Sequence, residues 1–170
     1  MSNSSTAEPW SRAVTPSHRE RDTPRQAWRA YWEATALLQD RLERDLKKEA
    51  DLSLSDYNLL LILMEAGGSM RMGEIADRMV FAPSRITYRV RLLVEKGLVC
   101  RDIENSDRRA TIATITQEGK DVFRNAARLH AQQVEENFLQ FLDPDEVETL
   151  LNVFTKVGRS LDTSATSSIR

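Results

Sequence analysis

The chain has one cysteine, Cys100, and two histidines among its 170 residues. A single cysteine cannot form an internal disulfide bond, so packed apolar side chains must hold the fold together. No apolar run approaches the roughly 20 residues that span a bilayer. Residues 1–23 also lack the apolar core of a secretory signal peptide. We therefore expect a cytoplasmic protein with no membrane partner.

The sequence also lacks the residue patterns of an enzyme. It has no glycine-rich phosphate loop, and no nucleophile, base and orienting group recur at a useful spacing. His18 and His130 stand apart, with no cysteine or histidine at the spacing of metal ligands. We expect no catalytic function, no metal site and no cofactor.

The charge is unevenly distributed along the chain. The net charge is −2, yet residues 69–109 carry nine basic and six acidic residues, a balance of +3 that leaves −5 for the remainder. A charged partner responds to one face of a protein rather than to its total charge. Residues 69–109 are therefore the part expected to face phosphate.

This basic segment has a distinctive order of predicted elements. A buried helix, for which Ser55 is the expected N-cap, ends at Gly67 and Gly68, and a short helix follows at 71–79. Pro83 suits the first turn of a basic helix that ends at Gly97. Two β-like runs, 98–103 and 110–116, then flank residues 104–109. The order predicts a mainly α fold with a small β-hairpin wing, a winged helix-turn-helix DNA reader over about residues 53–118.

Two long helical regions flank the predicted reader, at about 24–49 and 117–161. Thr116 is the expected cap of the second, which would run to about Leu142, and residues 143–146 form a capping box for a last helix. Both regions carry more apolar surface than one small domain can cover, so we expect them to form a homodimer. A two-fold dimer predicts a pseudo-palindromic DNA site. Residues 1–23 are expected to be a disordered basic arm and residues 162–170 a flexible tail.

A helical wheel of the basic helix separates a buried from an exposed side. Ile86, Val90 and Leu93 cluster on the buried side. Arg89 lies near that side, which favours a phosphate contact or an intramolecular ion pair, and Lys96 is at most a phosphate contact. The predicted DNA-contacting residues of this helix are Ser84, Arg85, Thr87, Tyr88, Arg89 and Arg91, of which arginine is best suited to bind guanine.

The tip of the predicted hairpin is also basic. Arg108 and Arg109 can reach a minor groove, whose negative potential attracts arginine. Asp107 would repel DNA if it were exposed alone. We therefore expect its carboxylate to orient an arginine through a charge-assisted hydrogen bond.

Several of these segments resemble the MarR family of winged helix-turn-helix transcriptional regulators. The sequence SDRRA at 106–110, running on to TITQEG at 114–119, is similar to the family's Asp-x-Arg wing and Leu-Thr-x-x-Gly helix start. Further matches are LSLS at 52–55 and MGEIA at 72–76, within a resemblance that covers about residues 26–161. It implies a homodimeric DNA-binding regulator, commonly a repressor, whose first and last helices form the dimer and whose DNA affinity falls when a small ligand or an oxidant acts.

The nature of the effector remains open at this point. Trp28, Tyr31 and Trp32 could line a pocket for an aromatic ligand, and His130 could line it too, although a stripe at helical spacing is more often core. Cys100 could sense peroxide, but a strand residue that packs is the more ordinary interpretation. A helical adaptor that has lost DNA binding is a third alternative, which the arginines of the basic helix and the wing disfavour.

Overall fold

The computed structural model describes residues 19–79, 83–103 and 111–167. The chain divides into two units after Leu37, within its first helix. The described elements, in chain order, are α1 (Arg19–Ala50), α2 (Leu54–Glu65), β1 (Ser69–Arg71), α3 (Met72–Arg78), α4 (Pro83–Glu95), β2 (Val99–Ile103), β3 (Thr111–Ile115), α5 (Gln117–Asn137), a 3-10 turn (Leu139–Phe141) and α6 (Pro144–Ser167). The predicted fold, mainly α with a small β-hairpin wing, is confirmed.

The three strands form one antiparallel sheet in the order β1-β3-β2. Ala113 of β3 pairs with both Met70 of β1 and Arg101 of β2. The sequence predicted β2 and β3 but missed β1. A strand of three residues is too short to show an alternating pattern, and it is held by pairing to a segment more than 40 residues away.

The core of the second unit joins α2, α3, α4 and the sheet. Its fully buried side chains are mostly branched aliphatic residues, as expected for close packing around short helices. They include Leu46, Leu52, Leu59, Leu60, Leu63, Ile75, Ile86, Val90, Leu93 and Val99. The same core therefore holds α4, the predicted DNA-reading helix, from behind.

The cap of α2 differs from the predicted one. Ser53, rather than Ser55, is the N-cap: its Oγ accepts from the Asp56 N–H at 3.0 Å, and Asp56 Oδ2 accepts from the Ser53 N–H at 3.2 Å. A capping box needs an acidic side chain three residues after the cap, which accepts a hydrogen bond from the backbone N–H of the cap residue. Ser53 has Asp56 at that position, whereas Ser55 has Asn58.

Four other predicted helix ends are confirmed. Gly67 and Gly97 adopt left-handed φ angles of 81° and 73°. After each, the next N–H bonds to a carbonyl five residues earlier, which is a Schellman motif. Thr116 caps α5 by accepting the Gly119 N–H at 2.9 Å. Asp143 and Glu146 exchange capping hydrogen bonds of 2.9 Å at the start of α6.

Three predicted boundaries need correction. α1 begins at Arg19, so residues 19–23 of the predicted arm are helical, and Pro24 lies inside the helix. Asp22 favours this extension because a carboxylate near the start of a helix complements the helix dipole. α5 ends at Asn137 rather than near Leu142, and the Asn137 side chain bonds the Gln133 carbonyl at 2.8 Å.

The third correction concerns the predicted tail at 162–170. α6 continues to Ser167. No glycine or proline follows Gly158, so no residue there breaks the helix. Within the part of the chain that the structure describes, none of the helices combines the length and the apolar character that a membrane crossing requires.

Candidate nucleic-acid interface

Helix α4 has one buried and one exposed face, as the helical wheel predicted. Ile86, Val90 and Leu93 are buried in the core. On the other side Arg85, Thr87, Tyr88 and Arg91 are exposed, while the side chain of Ser84 lies outside the described residues. These four predicted DNA-contacting residues thus share the solvent-facing side of a helix whose other side is packed in the core. Arg89 is the exception.

Arg91 is held in place by neighbours on its own helix. Its guanidinium lies over the Tyr88 ring, 5.2 Å from the centroid, and its Nε is 3.5 Å from Glu95 Oε1. Stacking on an aromatic face and an acceptor one turn later both restrict the rotamers of arginine. The side chain still has 62% of its surface exposed, so the guanidinium is restrained without being covered.

Arg89 is turned inward. Its Nη1 donates to Ser53 Oγ at 3.2 Å and lies 3.5 Å from Oδ1 of Asp56, a carboxylate whose side chain is only 7% exposed. The sequence predicted either a phosphate contact or an intramolecular ion pair for Arg89, and the structure shows the ion pair. Arg89 therefore ties α4 to the cap of α2 rather than joining the exposed face.

Lys96 also has an intramolecular partner. Its Nζ bonds Asp51 Oδ2 at 2.8 Å and also the Asp51 carbonyl oxygen, and the phosphate contact considered for it remains a prediction. Asp51 follows α1 and has a left-handed φ of 50°. Hydrogen bonds from Lys47 and Lys96 lower the pKa of Asp51 to about 2. No local sequence pattern could have paired two residues that are 45 positions apart.

The base of the wing is described, and its tip is not. β2 and β3 pair as far as Ile103 and Thr111. Asp107, Arg108 and Arg109 lie outside the described residues, so their predicted contacts with DNA and with one another remain predictions.

The four residues predicted to contact an effector do not form one cluster of described ring contacts. Trp28 lies 5.8 Å from Tyr31 and 5.7 Å from Trp32 between ring centroids, and all three rings are exposed. His130 instead contacts Tyr57, with the centroids 4.6 Å apart. Its Nδ1 is buried without a hydrogen-bond partner among the described residues, and burial lowers the pKa of the imidazole.

A groove of about 680 Å³ that the sequence did not reveal lies between the end of α1 and α5. Arg41 and Asp45 line one wall, and Leu129 and Gln133 line the other. Gln133 Nε2 donates to Asp45 Oδ2 at 2.7 Å across it. A second, apolar groove of about 430 Å³ lies where the 3-10 turn meets α6, and Leu151 is part of its lining.

Cys100 lies on β2, as predicted, but it is exposed rather than packed. Alternation along the strand explains this, since the neighbouring Val99 faces the core. The Cys100 Sγ donates to the Thr114 carbonyl at 3.5 Å. Over the described residues, no three His, Cys, Asp or Glu side chains cluster in a way that could hold a metal ion.

Comparison with known proteins agrees with this geometry. The sequence matches the model of the MarR family over residues 50–110. The structure superposes on AbsC, a MarR family transcriptional regulator from Streptomyces coelicolor, with a TM-score of 0.79 and 30% identity, over 89% of this chain and 99% of AbsC. The chain belongs to the MarR family.

Two further relatives support the same assignment. The MarR family regulator Sco3205 from Streptomyces coelicolor, solved in complex with DNA, matches with a TM-score of 0.78 and 33% identity over 81% of this chain and 90% of its own. The transcriptional regulator MhqR from Bacillus subtilis is 28% identical over 71% of this chain and 81% of MhqR. This MarR family protein is therefore a DNA-binding transcriptional regulator, and not an enzyme.

Proposed function

We propose that this protein is a homodimeric repressor that reads a pseudo-palindromic operator and releases it when a small molecule binds. The observation that carries the proposal is the exposed face of α4. Arg85, Thr87, Tyr88 and Arg91 share that face, and the buried side of the helix is fixed in the core. Because its partner is DNA, we place the protein in the cytoplasm.

Each residue of this face suits a particular contact with DNA. Arginine binds the guanine O6 and N7 in bidentate fashion, so we assign base reading to Arg91, whose guanidinium is already restrained. Arg85 begins the exposed face near the start of α4, where a phosphate contact would fix the register of the helix. The wing arginines Arg108 and Arg109 add sequence-independent affinity from the minor groove.

The proposed dimer follows from apolar surface that one chain leaves uncovered. Phe141, Leu151, Val153 and Val157 are exposed on the 3-10 turn and α6. Contiguous apolar patches of this kind mark interaction surfaces in proteins that fold alone. A two-fold axis would bring the α6 helices together and place two copies of α4 about one turn of DNA apart.

The proposed effector is a small molecule bound near the helices that support α4. The groove between α1 and α5 is large enough for such a ligand. The rings of Trp28, Tyr31 and Trp32, and the half-buried His130, remain candidates for contact with an aromatic effector. A second candidate mechanism is oxidation of Cys100, which the exposure of its side chain favours.

The test uses the full-length protein. Duplexes that bind it are enriched from a random-sequence pool, and fluorescence anisotropy then measures binding of the enriched duplex and a shuffled duplex across a salt series, with light scattering for mass. We expect tight binding of the enriched duplex by a particle of two chains. Equal binding of both duplexes would contradict sequence reading, and no binding would favour the helical adaptor.

The effector is tested by release of that complex. Small aromatic compounds are screened for loss of anisotropy, and hydrogen peroxide is tested in parallel on the wild type and on Cys100→Ser. Release by a compound supports the ligand mechanism. Release by peroxide from the wild type alone would support the redox mechanism instead.

A further inference from the structure

The segment between α1 and α2 contacts the DNA-reading helix at two separate points. Lys96 Nζ bonds the side chain and the carbonyl oxygen of Asp51. Arg89 Nη1 bonds Ser53 Oγ and lies beside Asp56. We call this set of five residues the junction anchor.

The two contacts lie on one stripe of the helix. Arg89 and Lys96 are seven residues apart, which is about two turns and about 10 Å along the axis. Lys96 directly follows α4 and continues its hydrogen bonding, since its N–H bonds the Leu92 carbonyl at 3.0 Å. The core already holds the buried face of α4, and these two contacts add a restraint on the tilt of the helix and on its rotation about its axis.

The partner side of the anchor is itself held rigidly. Ser53 and Asp56 are buried and exchange the capping hydrogen bonds of α2. The Leu54 N–H bonds Glu43 Oε2 at 2.6 Å, which ties the start of α2 back to α1. The anchor therefore connects α4 to a fixed frame, not to a loose loop.

We infer that Lys96 and Asp51 are positioning residues, which hold α4 at the angle where its exposed face reads base sequence. The inference rests on the proposed sequence-specific function and goes beyond it, because it assigns a role to two residues outside the exposed face of α4. A lysine that contacted phosphate would instead contribute equally to the binding of every sequence.

The exposure of the Lys96–Asp51 ion pair indicates that it affects the orientation of α4 more than the free energy of unfolding. The side chains of Lys96 and Asp51 are 32% and 71% exposed. Ion pairs in such surroundings add little to the free energy of unfolding. Their loss should therefore appear in how DNA is read and leave the melting temperature close to that of the wild type.

The test is a set of variants of the full-length protein. Lys96→Met keeps the length of the side chain without its charge, Lys96→Arg keeps the charge, and Asp51→Asn tolerates the left-handed backbone. Lys47→Met is the matched control, since it removes the other ion pair of Asp51 without touching α4. Binding to the enriched and the shuffled duplex is measured by anisotropy across a salt series.

For Lys96→Met we expect about a three- to tenfold loss of affinity for the enriched duplex, the range of one lost hydrogen-bonded contact. Affinity for the shuffled duplex and the slope of log affinity against log salt should not change. Asp51→Asn should show a smaller loss, because the carbonyl contact remains. Lys96→Arg should restore selectivity, and Lys47→Met should retain it.

Two results would overturn the inference. Equal losses on both duplexes, with a salt slope smaller by about 0.9, would make Lys96 a phosphate contact. Unchanged binding by Lys96→Met would show that the anchor does not position α4. If no sequence is enriched by the wild type, the proposed function itself has failed, which is a different outcome.

Discussion

At the scale of single residues, His130 is half-buried, and its buried Nδ1 has no hydrogen-bond partner among the residues that the structure describes. Its ring packs against Tyr57, and burial lowers its pKa below the ordinary 6.5. Above that pH the imidazole is neutral in the folded and the unfolded chain alike. Below it, the unfolded chain takes up a proton that the folded chain resists, so the free energy of unfolding must fall as the pH drops through 6.5 toward the lower folded pKa.

This gives a first prediction. Replacing the titrating ring by a non-titrating one, His130→Phe, should reduce the loss of stability between pH 7.5 and pH 5.5, measured by urea unfolding at both values. An identical pH dependence in His130→Phe and the wild type would refute the assignment.

Residue patterns predicted the faces of α4 well but not the partners of its charges. The alternation of Ile86 and Val90 with exposed residues is a local pattern, and the structure confirms it. The partners of Arg89 and Lys96 lie more than 30 positions away. Only the packing of α4 on the segment between α1 and α2 decides them, so a helical wheel could not.

At the scale of secondary-structure elements, the start of α5 depends on a close approach to the chain before β2. A Cβ built on Gly119 would lie 2.1 Å from the Leu98 carbonyl oxygen and 2.8 Å from Ile115 Cγ1. The Leu98 carbonyl also accepts the Thr116 N–H at 3.0 Å. The glycine of the TITQEG segment is therefore required by contact between α5 and the base of the wing.

A second prediction follows for this position. Gly119→Ala should lower the free energy of unfolding by about 1–3 kcal/mol or more, because backbone atoms must shift to admit the methyl group. Gly73→Ala is the matched control, since it lies in α3, nothing lies within 4 Å of a Cβ there, and alanine in a helix should stabilise slightly. Urea unfolding of both variants measures this. Equal effects would mean that the close contact is absent.

Several element ends were predictable because a single residue or a short local motif fixes them, although the serine cap of α2 was placed two residues too late. Glycine at 67 and 97, Thr116 and the box at 143–146 were all placed correctly, because each acts on its own neighbours. β1 and the start of α1 were not. A three-residue strand exists only through its pairing with β3, and Pro24 resembles a helix start even though the helix begins five residues before it.

At the scale of the whole molecule, the uncovered apolar surface of α6 predicts the assembly. Leu151 is 67% exposed and lines the apolar groove. If the proposed dimer forms through α6, Leu151→Glu should place a charge in its interface and shift the mass by light scattering from two chains toward 19.4 kDa. Asn152→Glu adds the same charge at the next position of α6 and should remain a dimer. A Leu151→Glu protein that stays dimeric would locate the interface elsewhere.

The central claim is that the exposed face of α4 reads base sequence while the wing adds affinity for any duplex. Anisotropy across a salt series on the enriched and the shuffled duplex tests it most directly, with Arg91→Ala and Arg109→Ala compared against Arg124→Ala, an exposed arginine of α5 that pairs with Asp121. Arg91→Ala should reduce the difference in binding free energy between the enriched and the shuffled duplex by about 1–3 kcal/mol. Arg109→Ala should lower the affinity for both duplexes alike and reduce the slope of log affinity against log salt by about 1. Arg124→Ala should bind as the wild type does. Wild-type binding by both Arg91→Ala and Arg109→Ala would contradict the account.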